Sequence, residues 1–482
     1  MKLLLGGSLF FSFLHSWMLW DKEPGISVAL FCIPLLTFFI YILNKNGRIK
    51  NKKGLILCVP IILLSLTYFI FNNSFFQTIN VFVICGLWLI LCISITQNEL
   101  KFKNIFTKIS NLIIGPFDYF QLTTSELKKI FTEKENTNEN AVLFKKILKS
   151  IIITLPIVII VIFLLTSADS IFADIFSGIG NTVENIFDID ELPYLAARII
   201  VIALIFIYMS SFLYNIIKEN TLFNKEIVAE RKGLKLDGIT IQMILTILNI
   251  IYLIFSTIQI LYLFTKNELS ADFNYAEYAR QGFFQLMFVS LINFVLISVI
   301  HTNKKEISEF QKKYIKFMEV LIEIFTQIII ISAFYRMFLY EQTYGYTYLR
   351  LFVYFTLIAE FIFMLPTIWY TLGKKINLFK IGLTIATIFY LVLNYINVDA
   401  LIARKNINRY YEGKKIDFYY LKNCTGTDAY SEISRLLDTE DVQLKNNVKN
   451  YLNNEKAKLE EKQNWQEWNL SKQMAKKYLE NI

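Results

Sequence analysis

A chain of 482 residues that is 55% hydrophobic, 16% aromatic and only 18% charged is too apolar for an ordinary soluble domain, where about 45–50% apolar is usual. Its net charge of +9 does not indicate nucleic acid, because Lys and Arg sit in short blocks between apolar runs, the pattern of cytoplasmic membrane loops. Five cysteines without a CxxC pair, and two histidines, His15 and His301, support neither a disulfide framework nor a metal centre. No cofactor or metal is expected.

A helix needs about 20 apolar residues to cross a hydrocarbon core roughly 30 Å thick. About eleven runs of that order follow one another: Leu3–Leu19, Ser27–Leu43, Gly54–Phe71, Phe76–Ile95, Ile147–Thr166, Leu195–Ile216, Ile239–Phe264, Phe283–Ile300, Ile315–Leu339, Leu351–Tyr370 and Ile376–Tyr395. Lys2 before the first run is reminiscent of a signal peptide. No small-residue cleavage site precedes Asp21, however, and the second run follows almost at once. The expected fold is therefore all-α: a polytopic transmembrane helix bundle with a small C-terminal helical domain.

Basic residues crowd the connections Asn44–Lys53, Lys101–Lys146, Lys218–Lys235, Thr302–Lys313 and Gly373–Lys375. The alternating loops are poorer in them, and Ser167–Tyr194 is acidic. Short basic loops stay in the cytoplasm, so the N-terminus is predicted inside and, with an odd span count, the tail outside. Four regions follow: a four-span region, 1–96; a cytoplasmic linker, 97–146; a seven-span core, 147–396; and a soluble, extracytoplasmic helical domain, 397–482. Within the linker, Leu112–Tyr119 reads as interfacial and Thr132–Asn140 as flexible. In the tail, helices are predicted over Val398–Tyr411, Asp417–Asn423 and Ala429–Leu437. Thr427 or Asp428 is placed to cap the third, and one or two amphipathic helices follow Asp441. Trp465 and Trp468, three apart, would share a helical face and pack on the tail's own helices or seat at the membrane interface.

The segment Phe273-Asn-Tyr-Ala-Glu-Tyr-Ala-Arg-Gln-Gly-Phe-Phe-Gln-Leu286 resembles a signature of a bacterial multi-span membrane family, the domain of unknown function DUF4173, close to DUF4153. Glu23-Pro-Gly-Ile-Ser-Val-Ala-Leu-Phe31, Ser167-Ala-Asp-Ser-Ile-Phe-Ala173, Arg336-Met-Phe-Leu-Tyr340, Tyr344-Gly-Tyr-Thr-Tyr-Leu-Arg350, Asn397-Val-Asp-Ala-Leu-Ile-Ala-Arg404, Ile416-Asp-Phe-Tyr-Tyr-Leu421 and Asp428-Ala429 agree with it in order. Val398 stands where Pro is expected, and Tyr346 where a smaller apolar residue is. The resemblance implies the fold and a place in the bacterial cytoplasmic membrane; it implies no activity.

Ionisable residues within spans cost roughly 2.5–3.5 kcal/mol on insertion scales and are functional candidates by default. Glu360 lies near the middle of the tenth run. Glu323 lies in the inner half of the ninth, on one face with Glu319, which reads as interfacial, and Gln327. Gln242, Asn249, Gln285 and Asn293 read as interhelical hydrogen-bonding residues that, with the carboxylates, form a hydrated path. A second constellation is expected at the outer mouth: Asp169, Asp174, Glu277, Arg280, Arg336, Glu341, Arg350, Asp399 and Arg404. It reads as an ion-pair network tying the tail to the bundle, or as an anion or lipid-headgroup site. Gly345 reads as a turn, and Pro366 as a kink beyond Glu360.

No nucleotide, metalloprotease, hydrolase or Rossmann motif occurs. The expected function is a transporter or permease using intramembrane carboxylates. Its partners are the lipid bilayer and a small solute, a proton or a lipid headgroup, without nucleic acid. A membrane sensor or regulatory scaffold, and an envelope enzyme acting on a lipid headgroup, are the alternatives.

Overall fold

The computed structural model describes residues 2–97, 105–121, 123–125, 192–218, 237–264, 283–303, 308–461 and 463–480. Among these it is helical, with no strand. The helices are α1 (Lys2–Met18), α2 (Ile26–Lys45), α3 (Cys58–Ile70), α4 (Ser74–Thr96), α5 (Ile105–Ile114), α6 (Leu192–Lys218), α7 (Gly238–Phe264), α8 (Phe283–Asn303), α9 (Glu309–Tyr344), α10 (Tyr348–Thr371), α11 (Leu378–Tyr395), α12 (Val398–Tyr411), α13 (Phe418–Cys424), α14 (Tyr430–Ile433), α15 (Val442–Glu460) and α16 (Leu470–Glu480). Nine elements among the described residues are long and apolar enough to cross a membrane, one being α3 with the 3₁₀ turn that leads into it. The chain is a multi-pass membrane helix bundle. The predicted fifth span, Ile147–Thr166, lies outside the described residues, as does Thr132–Asn140.

Polar residues at the run ends set the boundaries. Asn73 caps α4 by accepting from the Phe76 amide. Ser308 and Gln311 form a capping box at the start of α9, and Asn377 caps α11. Each side chain satisfies an amide that the first helical turn leaves unpaired. Gly345 ends α9 at φ +83°, a left-handed conformation that glycine adopts without Cβ strain. The expected turn there is found. α10 runs through Pro366 without ending. α9 is longer than its apolar run because polar residues extend it at both ends.

The helices form two groups. α1–α4 and α6 enclose one apolar core, with Leu43, Ile61, Leu64 and Leu91 fully buried. α7, α8 and α10 pack around α9, with Leu245, Ile322, Ala333 and Leu357 inside. α11 bridges them, lying on α10 and α3. The linker helix α5 and the 3₁₀ turn Gly115–Tyr119 lie along α6. There Gly115 meets Asn215 closely, and exposed Phe106, Ile114 and Phe117 face outward. The segment Leu112–Tyr119 spans the end of α5 and this 3₁₀ turn.

The tail folds on the ends of both groups. Its core of Ile402, Ile407, Leu421, Ile433, Leu436 and Val448 is continuous with Phe76, Tyr348, Leu351 and Leu393 of the bundle. Trp17, in the last turn of α1, packs against Trp465 of the tail.

Several local expectations are corrected. Neither Thr427 nor Asp428 caps a helix: Gly426 precedes a 3₁₀ turn, Thr427–Ala429, and Asp428 accepts instead from the Asn72 amide at 2.9 Å. The predicted helix Ala429–Leu437 is only α14 followed by a 3₁₀ segment, Ser434–Asp438. Trp465 and Trp468 share neither a helix nor a target. Trp465 packs on Trp17, and Trp468 stacks on Phe69 at 5.1 Å, so both grip span ends rather than the tail's own helices. Capping by Asn464 holds Trp465–Glu467 in one 3₁₀ turn, which rotates the two rings apart. Glu319 is buried in the protein, 1% exposed.

Candidate functional site

Polar side chains recur along the buried surface of α9, among apolar ones such as Ile322, Ile329 and Ala333. Its buried residues include Glu319, Glu323, Thr326, Ser332, Arg336 and Glu341. From Glu319 to Glu341 this stripe covers about 33 Å at 1.5 Å per residue, roughly a hydrocarbon core. Ser332 and Arg336 turn toward α7, where Gln259 meets them, while Glu323 turns toward α10, and the packing of α7, α8 and α10 around α9 closes these side chains off.

Each polar group meets a different neighbour. Glu323 accepts from Thr371 Oγ1 of α10 at 2.8 Å. Thr326 accepts from Asn293 Nδ2 of α8 at 2.9 Å, and Asn293 accepts from Tyr252 of α7 at 2.7 Å. Gln327 Nε2 donates to the Phe361 carbonyl at 3.2 Å. Glu360, on α10, lies 2.5 Å from Ser290 Oγ of α8. Further along, Gln259 of α7 accepts from Ser332 at 2.6 Å and from Arg336 Nη2 at 3.0 Å. Glu341 accepts from Tyr354 at 3.1 Å. Glu323 Oε2, Glu360 Oε1 and Gln327 Oε1 are buried without a hydrogen-bond partner, so the column holds more acceptor capacity than its described neighbours use.

The expected path is only partly assembled. Glu323, Gln327, Glu360 and Asn293 each bond across the contacts of α8, α9 and α10, Glu323 at the end of α10 and Glu360 further along it, but Gln285 faces outward on α8 and Gln242 is half-buried. Asn249 bonds the Leu245 and Met318 carbonyls at 2.8 and 3.0 Å. Ser290, Thr326, Thr371 and Gln259 were not singled out by sequence. Ser290, three residues before Asn293, and Thr326, three after Glu323, carry a helical-spacing signal.

The second constellation disperses. Asp169, Asp174, Glu277 and Arg280 lie outside the described residues. Arg336 belongs to the column. Arg350 stacks 4.3 Å over Tyr340 and donates to the Gly345 carbonyl; an aromatic face takes the place of the expected carboxylate. Arg404 pairs with Glu432 at 2.7 Å inside the tail.

Asp399 instead becomes the centre of a separate node where the tail meets the turn between α3 and α4. Asn73 Nδ2 donates to Asp399 Oδ1 and to Tyr348 Oη, each at 2.8 Å. The Gly426 amide donates to Asp399 Oδ2 at 2.9 Å. Gly426 is required by close approach, since a Cβ there would lie 2.1 Å from the Asn72 carbonyl oxygen. Burial pushes the Asp399 carboxyl well above its ordinary range, against the lowering by the Gly426 amide, and Asp428 adds to the rise. Asp428 is also raised by burial. Both line a cleft of about 310 Å³, counted with its open mouth, beside Asn73, Asn80 and Asn394. Asn80 donates to Asn394 Oδ1 at 2.8 Å and accepts from Tyr390 at 2.5 Å. Asn73 and Asn80, seven apart at the start of α4, were the legible but unused signal.

Arg409 of α12 closes the far end of α9. It donates to the carbonyls of Glu341, Gln342 and Thr343 at 2.9, 2.8 and 3.2 Å. The Glu341 carbonyl also accepts from the Gly345 amide, whereas those of Gln342 and Thr343 are last-turn carbonyls past the helix's own donors.

Comparison with protein families finds one decisive match, to the domain of unknown function DUF4153, over residues 58–436. The chain belongs to the DUF4153 family. That stretch begins with α3 and ends inside the tail, so it contains the column, the Asp399 node and the Arg409 contact. No curated protein and no solved structure matches the chain. Val398, at the first turn of α12, occupies a position that a proline also suits.

Proposed function

We propose that this DUF4153 protein is a transporter or permease whose path follows the polar face of α9. The observation that carries the reading is the pair Glu323 and Glu360, buried within a bundle of membrane-spanning helices and each with an oxygen left without a partner. A carboxylate at such depth must be met by a proton, a cation or donors. Side chains retained for bundle stability alone contribute only about 0.6 kcal/mol per contact. The narrower likeness to DUF4173 rests on the motifs Phe273–Leu286 and Arg336–Tyr340 and belongs to the same proposal.

The test is proton flux into proteoliposomes under an imposed potassium-diffusion potential. Glu360→Gln and Glu323→Gln should each lower flux at least tenfold while the protein still folds. Unchanged flux in both variants sinks the reading.

A sensor or regulatory scaffold is the second reading. Arg409 and the Asp399 node favour it, because they fasten the tail to α9 and to the turn between α3 and α4. It places the tail outside the cell. Exposed Cys424 checks this, with the four span cysteines replaced, by labelling in intact cells with an impermeant reagent. Burial, with Asp417, raises its thiol, so mildly alkaline buffer speeds the reaction. Labelling only after lysis would put the tail in the cytoplasm.

A further inference from the structure

Ser290 Oγ lies 2.6 Å from the Met287 carbonyl oxygen and 2.5 Å from Glu360 Oε2. A serine hydroxyl has one proton to donate, and a carbonyl has none. Both contacts are separate two-centre hydrogen bonds only if Glu360 supplies the second proton: Glu360 O–H donates to Ser290, and Ser290 donates to Met287. With Glu360 ionised, the single Ser290 proton would have to be shared between two acceptors. The other carboxyl oxygen, Oε1, agrees with this count. An ionised carboxylate draws donors to both oxygens, whereas the carbonyl oxygen of a neutral acid is left unpaired at smaller cost.

The surroundings point the same way. The charged or titratable groups on the buried face of α9 are Glu319, Glu323, Arg336 and Glu341. α8 brings the neutral Ser290 and Asn293. α11 meets α10 through Gly382 against Phe363 and Phe389 against Phe355. Among the described residues no group of three His, Cys, Asp or Glu side chains is arranged to hold a metal ion, and a hard cation asks for about six oxygen ligands. One hydroxyl suits a proton.

We propose that Glu360 rests as a neutral acid donating to Ser290, and that the species its site binds and releases is a proton. This deepens, and rests on, the transporter reading. On release the proton passes from Oε2 to water, and the Ser290 hydroxyl turns from Met287 to the carboxylate it leaves. Each state then has one proton for its most demanding acceptor.

The experiment is infrared difference spectroscopy on the full chain in lipid nanodiscs at neutral pH. Wild type minus Glu360→Gln should show a neutral-carboxyl C=O band that shifts in D₂O. Ser290→Ala keeps the acid but removes its acceptor, so the band should move to higher frequency. Should Glu360→Gln fail to fold, the wild type minus Ser290→Ala difference carries the test alone. Absence of a neutral-carboxyl band from these differences overturns the proposal. The band present in a protein that passes no protons would sink the transporter reading and leave the neutral acid standing.

Discussion

The two helix groups bury polar side chains with different emphasis. In the N-terminal group they are mostly small hydroxyls turned onto their own helices: Ser12 to Leu9, Ser65 to Ile62 and Thr67 to Leu64. Such bonds are local and satisfy the hydroxyl wherever its helix sits. In the C-terminal group own-helix bonds such as Thr326 to Ile322 and Thr367 to Met364 are joined by bonds that cross between helices, from Asn293 to Thr326, Thr371 to Glu323 and Ser332 to Gln259, and carboxylates take part. The first group reads as a scaffold made compatible with lipid. The second holds groups whose charge can change, and the tail grips the helix that carries them.

The largest effect that sharpens this contrast is expected at Arg409. Arg409→Ala removes the charged donor from the carbonyls of Glu341, Gln342 and Thr343 at the end of α9, in a place only 8% exposed, and only the Glu341 carbonyl keeps the Gly345 amide. Charged hydrogen bonds of this kind put the loss at about 3 kcal/mol. Thermal unfolding and limited proteolysis should show the tail released first, with the N-terminal group intact.

Asp399→Ala comes next, at about 2 kcal/mol, because Asn73 Nδ2 and the Gly426 amide lose their acceptor. The wild-type node also carries a pH signature. Asp399 and Asp428 are both raised when docked and return to the ordinary carboxylate range when released. The docked tail therefore binds protons more readily. Its docking is strongest below the ordinary carboxylate range and weakens as pH rises through the raised values. Protease sensitivity of the tail should increase with pH in the wild type, and this dependence should shrink in Asp399→Ala. A dependence of opposite sign would break the assignment.

The smallest effect belongs to the N-terminal group. Ser65→Ala removes a donor whose bond is to its own helix, and stability should stay within about 0.5 kcal/mol. Proton flux should be unchanged. A flux defect there as large as in Glu360→Gln would erase the distinction between the groups.

The spans were legible because a bilayer leaves a helix little choice: backbone groups must bond internally, and apolar length is then read directly. Glu360, Glu323 and Gln327 were legible as candidates for the same reason, since polarity inside an apolar run stands out. The mouth network was not. Arg350, expected to snorkel or to find a carboxylate, lies on Tyr340, and Arg404, expected in the mouth network, pairs within the tail. Choosing among many acceptors of similar strength depends on which surfaces meet. The tail's short helices were blurred because 3₁₀ turns and α-helices share their local preferences over a few residues.

By itself, then, the sequence determined a helical membrane bundle, the caps and glycine that end its helices, and the few ionisable residues placed where charge is costly. These follow from local backbone chemistry and transfer free energy, which act residue by residue. Only the tertiary structure decided that Ser290 meets Glu360, that Asp399 joins the tail to Asn73, and that Arg409 closes α9. Those partners are far apart along the chain, and helix packing, which no single segment encodes, brings them within hydrogen-bond reach.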